Sequence, residues 1–228
     1  MCIAAETAEA DARAARAGGA SRVELCARMD LDGLTPSVAQ VRQARAGWGR
    51  RDGLLVMLRD HADGFAYDAE DVAQMARAMP ALHDAGAGGF VFGAVRDGRV
   101  DEPAVQRVVS EAGRLGVLVT FHRAFDALDD HVSGVDLLAA MGVRRILTSG
   151  VPWGHAGSAV SGLERIRATV ARAAGRLEIV IGGGVSAENA PALVAGLAGV
   201  SVHAYSSVRA GGQVDAGRVR ALADAVSV

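Results

Sequence analysis

The sequence predicts a closed (β/α)8 barrel of the TIM type, an α/β fold, as a single domain over residues 1–228. Three observations predict it. A short apolar segment with a polar or glycine tip, followed by an alanine-rich amphipathic segment, recurs about eight times along the chain. The repeat of about 28 residues suits the short end of that barrel's size range. No Pro/Ser-rich linker or block of like charge interrupts the alternation. A doubly wound open sheet is the competing arrangement of the same pattern.

The predicted strands are, in order, 2–5, 22–26, 54–59, 89–93, 117–123, 145–150, 177–182 and 200–204, each followed by ten or more residues of predicted helix. The helices after Asp68 and Asp101 are the clearest. Val72, Met75, Ala76, Met79 and Leu82 recur on one face of the first, and Val105, Val108, Val109, Ala112 and Leu115 on one face of the second. Asp68 and Asp101 read as N-caps, because a carboxylate there satisfies free backbone donors. Thr35 ahead of Pro36 marks another helix start, since a first-turn proline has no N–H to lose. Ser186, ahead of Ala-Glu-Asn, marks one more.

Composition narrows the function classes. The chain is 50% hydrophobic, 22% charged and 4% aromatic with a formal net charge of -2, so nothing favours a nucleic-acid partner. Two cysteines make no disulfide framework, and a reducing, cytoplasmic setting is the simplest reading. The N-terminus opens on a predicted strand, and no run approaches about 18 apolar residues. Neither a secretory signal nor a membrane partner is therefore expected.

Chemistry in such a barrel sits at the C-terminal ends of the strands, where loops vary without disturbing the packed layers below. Alternation along a strand decides which tip residues face the axis. It sets Glu24 and Cys26 together, separates Arg59 from Leu58, aligns His122 with Thr120, and opposes His203 to Val202. Four strands thus aim Glu24, Arg59, His122 and His203 at one mouth. Burying an unpaired charge is costly, so such groups must pair, meet a ligand or stay wet.

The segment after the fifth strand adds Arg123 and Asp126 to His122. Arg123 has the opposite parity and reads as a loop clamp or a partner of Asp126, while Asp126 is equally a cap for the next helix. Gly182, Gly183 and Gly184 end the seventh strand and could present backbone donors to an anion or phosphate. The alternative there is a tight glycine turn with no ligand. A soft metal such as Cu(I) wants several sulfur ligands. Cys26 faces the mouth, but Cys2 begins the neighbouring strand, so the two thiols are expected on opposite rims. His83, His131, His61 and His155 lie in a helix, at a helix start and in loops, with no ligand-like spacing.

Together these tips, Arg-Val-Glu-Leu-Cys at 22–26, Gly-Leu-Thr-Pro-Ser at 33–37, Thr-Phe-His-Arg-Ala-Phe-Asp at 120–126, Leu-Thr-Ser-Gly at 147–150, Gly-Gly-Val-Ser-Ala-Glu-Asn at 183–189 and Val-His at 202–203, resemble the CutC family. The resemblance covers nearly the whole chain. It implies a TIM-type barrel, a cytoplasmic setting, homo-oligomers and a role in copper homeostasis, with copper bound through cysteines. Carried across, the polar mouth is Glu24, Arg59, His122, Arg123, Asp126 and His203, and the copper thiols are Cys26 and a cysteine at the end of strand one. This chain has Ala4-Ala5-Glu6 at that end, and Arg59-Asp60-His61-Ala62-Asp63-Gly64 where the family tends to have Arg-Pro-Arg and glycines.

Two function classes follow. One is a copper-handling protein using Cys26, with His203 or His122 as further ligands. The other is an enzyme moving a proton on a small anionic or phosphorylated substrate. In it, His122 is the general acid or base, Glu24 its partner or a second acid or base, Arg59 the anion clamp, and Gly183 and Gly184 the backbone donors. The carboxylate, imidazole and guanidinium suit the second reading better, whereas the resemblance points to the first. A barrel that has lost its activity and serves as a scaffold is a third.

Overall fold

A computed structural model describes residues 1–227. Eight strands form one sheet in chain order, and every neighbouring pair runs parallel. They are β1 (Cys2–Ala4), β2 (Val23–Cys26), β3 (Leu54–Met57), β4 (Gly89–Phe92), β5 (Leu118–Phe121), β6 (Arg145–Thr148), β7 (Glu178–Ile181) and β8 (Val200–Val202). The Cys2 amide donates to the Ala204 carbonyl at 3.0 Å, joining the first strand to the chain just beyond the last. The sheet thus closes as a (β/α)8 barrel, and the open-sheet alternative falls.

The helices are α1 (Ala8–Ala17), α2 (Val38–Trp48), α3 (Ala69–Ala85), α4 (Glu102–Arg114), α5 (His131–Ala140), α6 (Leu163–Ala173), α7 (Ala190–Val194) and α8 (Ala216–Ala225). Asp68 and Asp101 cap α3 and α4 as predicted; Asp68 accepts from the amides of Glu70 and Asp71 at 2.8 Å each. Among the described residues, no helix is long and apolar enough to cross a membrane.

Three local expectations need correcting. The cap of α2 is Ser37, locked in a reciprocal box with Gln40. Thr35 instead receives the Arg59 amide at 2.8 Å and donates its hydroxyl to the Arg59 carbonyl at 3.0 Å, tying the loop after β2 to the tip of β3. Ser186 opens a turn, its carbonyl accepting from Ala190, and the helix that follows has only five residues. Asp130, not Asp126, caps α5, accepting from Val132 and Ser133 at 3.0 Å each. Two short hairpins, Val95–Arg96 with Arg99–Val100 and Arg209–Ala210 with Gln213–Val214, are additions the periodicity does not announce.

Strand alternation divides the apolar residues into two cores. Outward-facing Val23, Leu25, Val56, Phe90, Phe92, Phe121, Ile146 and Ile179 pack under the helices in one large cluster. Inward-facing Cys2, Cys26, Leu55, Met57 and Val91 form a smaller one, with Met29 and Tyr205 against it. At the N-terminal end of the barrel Glu178 accepts from Arg22, from Arg145 at 3.0 Å and from Ser201 at 2.6 Å. Burial would raise its carboxyl pKa, but these donors hold it at about 2. This ionic cluster occupies the barrel's N-terminal end, opposite the strand tips that carry the chemistry.

Candidate functional site

At the C-terminal ends of the strands lies a cavity of about 280 Å³. Glu24, Arg59, His122, Arg123 and His203 line it, as do Gly182, Gly183 and Gly184. The inward parity read from the strands therefore brings those side chains together. Cys2, Cys26, Met29, Phe65 and Trp153 line the same space.

The sulfur atoms gather on the β1–β2 side. Cys2 Sγ, Cys26 Sγ and a Glu24 carboxylate oxygen lie within 4.8 Å of one another, and Cys2 Sγ is 3.6 Å from Met29 Sδ. The expectation of opposite rims is thus wrong, and register explains why. Cys2 pairs with Glu24 and Ala4 with Cys26, so Cys2 and Cys26 are diagonal neighbours one pleat apart on the inward face. Strand β1 is three residues long, so its start is not far from its end. Diagonal neighbours sit about 7–8 Å apart at Cα, within reach of two converging thiols.

The loop 27–34 carries Met29 over this pair. Gly33, at φ +89°, presses on Cys26 so closely that a Cβ there would stand 3.1 Å from the Cys26 Cβ. Arg28 and Asp32 adopt left-handed backbone at φ +48° and +61°, which costs a non-glycine residue energy and is concentrated at functional loops. Residue type alone does not mark Met29 as part of a site; its place in a glycine-pinned loop after the second strand is the signal that sequence reading overlooked.

Burial and mutual contact set the electrostatics of the cluster. The Cys26 thiol donates to Glu24 Oε1 at 3.4 Å. Its pKa is held well above the usual thiol range by the hydrogen bond with Cys2, then by burial and the nearby Glu24 charge. Burial raises the Glu24 carboxyl as well. His203 Nδ1 is 3.9 Å from Glu24 Oε2, but burial, with the N-terminal ammonium next, pushes the imidazole well below its ordinary value. At neutral pH the His203 imidazole therefore brings no positive charge to Glu24.

Further round the barrel stand Arg59 and His122, each 4% exposed. The His122 Nδ1 accepts the Ala124 amide at 3.1 Å, so the ring proton of the neutral imidazole resides on Nε2. Burial, then the positive Arg59, lowers the His122 pKa to about 3. With Nδ1 engaged and its pKa lowered, the neutral ring presents an Nε2–H donor at neutral pH. It also makes stability pH-dependent. The unfolded chain binds a proton near pH 6.5 and the folded chain only near pH 3, so the contribution is complete above 6.5 and is lost as pH falls between those values. At pH 5 the expected loss is about 2 kcal/mol relative to pH 8. Urea midpoints across that range should show the decline, with a shallower one in His122→Gln.

Asp126 lies behind the cavity wall, 1% exposed. It accepts from Thr148 Oγ1 at 2.5 Å, Ser149 Oγ at 2.8 Å, the Ser149 amide at 3.1 Å and Arg123 Nε at 3.0 Å. Arg123 continues to Ser149 Oγ at 3.0 Å and lies over the Trp153 ring. Asp126 is therefore an anchor between the β5 and β6 tips, and Arg123 its partner. In the glycine loop, Gly183 and Gly184 take φ +87° and +77°, and their carbonyls accept from Ala159 and from Asn189 Nδ2. The five-residue helix beyond offers an anion little dipole.

A family model described as the CutC family matches residues 1–209. A CutC family protein of Xanthomonas campestris pv. campestris (strain B100) is 39% identical over 206 residues, 90% of this chain and 82% of its own length. The crystal structure of a Streptococcus agalactiae CutC, provisionally ascribed to copper homeostasis, superposes with a TM-score of 0.72 at 28% identity, covering 80% of this chain and 87% of that one. A Vibrio cholerae 3-keto-L-gulonate-6-phosphate decarboxylase superposes at 0.65 with 14% identity over 99% of this chain and 95% of its own, a likeness of fold alone.

Proposed function

The chain belongs to the CutC family, and from that membership we propose that it binds Cu(I) as cargo at the barrel mouth, held by the thiolates of Cys2 and Cys26 and the thioether of Met29, in the service of copper homeostasis. The observation that carries this reading is the convergence of three sulfur atoms, two buried and one partly buried, on one wall of the cavity. Cu(I) is soft and favours thiolate and thioether over imidazole or carboxylate, so the donor set fits the ion. It also differs from the pair the resemblance implies, because Cys2 takes the place of a thiol at the end of strand one. His122 has one nitrogen occupied and a proton on the other, which leaves it outside the ligand set.

Loading requires the thiols to lose their protons, and Glu24, which already accepts from Cys26, is the adjoining acceptor. Two thiols this close suit a reducing compartment such as the cytoplasm. Anaerobic Cu(I) titration against a competing chelator tests the proposal. Tight binding of one ion per chain is expected, weakened about tenfold in Met29→Leu, which keeps the apolar bulk and removes the sulfur. Absence of binding in competition, or affinity indifferent to all three sulfurs, would overturn it.

A further inference from the structure

The cavity wall beyond the sulfur cluster carries two donors that the protein leaves unsatisfied. Arg59 is buried, yet its terminal nitrogens meet only carbonyls, those of Leu31 at 2.8 Å, Gly33 at 3.2 Å and Ala62 at 3.0 Å. Its Nε has no partner. The His122 Nε2 is buried and without a partner as well. A buried guanidinium normally acquires a counter-charge, because the desolvation it suffers is otherwise uncompensated. Buried polar atoms that remain unpaired mark places where a ligand completes the bonding.

Both groups belong to the same cavity and share a neighbour. The Arg59 guanidinium carbon is 5.5 Å from the centre of the Phe65 ring, and the His122 ring centre is 5.2 Å from it. Phe65 in turn meets Trp153 edge to face at 4.7 Å. This part of the wall therefore offers one cation with no carboxylate partner, since Arg123 beside Trp153 is paired with Asp126, together with one neutral N–H donor and an apolar surface. Copper(I) has no use for any of them, so they are not explained by the sulfur site.

We propose that Arg59 and His122 form an oxyanion subsite, which takes the carboxylate or phosphate group of a small organic acid and is distinct from the sulfur cluster. Guanidinium is suited to either group, since its planar fork matches two oxygens of a carboxylate or phosphate. The neutral imidazole adds a donor without adding charge, and the Ala124 amide fixes which nitrogen donates. Phe65 and Trp153 would pack against the carbon skeleton of the acid.

The test uses reduced, metal-free protein, titrated separately with inorganic phosphate and with malonate. Calorimetry reads the affinity, and the imidazole N–H resonances read His122 directly. Saturable binding of at least one probe is expected, with a downfield shift of the His122 Nε2–H signal. Phosphate alone, or malonate alone, would identify which oxyanion the subsite takes. Arg59→Gln and His122→Gln should each weaken binding about tenfold, whereas Cys2→Ser and Cys26→Ser should not alter it. Arg59 also supports three loop carbonyls; if Arg59→Gln does not fold, His122→Gln and the imidazole signal decide the matter. No saturable binding of either probe, or binding that persists unchanged without the His122 ring, would overturn the subsite and leave the copper reading untouched.

Discussion

Serine at Cys26 is expected to weaken Cu(I) binding by about 100-fold, and serine at both Cys2 and Cys26 to remove it from competition assays altogether. Four-ligand metal sites in small domains bind with about 10–16 kcal/mol, so a single thiolate contributes about 3 kcal/mol, or about two orders of magnitude. Oxygen does not replace sulfur here, because a serine hydroxyl is a hard and weakly acidic ligand. Cys2→Ser is the sharper of the two single changes. Its loss should match that of Cys26→Ser if the diagonal pair acts as one site, whereas indifference to Cys2 would reduce the site to one thiol and sink the paired-thiolate geometry. Both cysteines pack in the small inner core, so circular dichroism and thermal melts should accompany the titration. The exchange of sulfur for oxygen in that core is expected to cost stability only about 1 kcal/mol, too little to unfold the barrel.

Asp126→Ala is expected to destabilise the protein by about 3–5 kcal/mol without changing the copper affinity of the folded fraction. The carboxylate serves Thr148, both donors of Ser149 and Arg123, and its removal leaves the buried Thr148 hydroxyl and Ser149 amide without an acceptor at the junction of β5 and β6. Leaving buried partners unpaired costs more than the hydrogen bonds themselves contributed. Asp126→Asn keeps the shape and loses the charge, so an intermediate loss of about 1–2 kcal/mol is expected. Urea denaturation reads both values. A loss below about 1 kcal/mol in Asp126→Ala would mean that the anchor is redundant and that the carboxylate has some other role.

Much of this could be read along the chain. Period-2 and period-3.6 patterning located all eight strands and the well-capped helices after Asp68 and Asp101, because burial of one face imposes its spacing on the residues. Parity alone placed Glu24, Arg59, His122 and His203 around one cavity. It failed for α7, where a turn closed by Asn189 consumes the residues that were expected to be helix. The role of Asp126 was likewise ambiguous, since a carboxylate ahead of a helix looks the same whether it caps that helix or reaches across to the next strand.

The barrel, the inward residues at its mouth and the family are legible along the chain, because each depends on local periodicity or on short runs of neighbouring residues. The meeting of Cys2 with Cys26, the approach of Met29 and the unspent donors of Arg59 and His122 emerge only in the folded barrel. The reason is register: parity says which face a side chain occupies, whereas its height relative to a residue on the next strand is set by pairing and by loops such as 27–34.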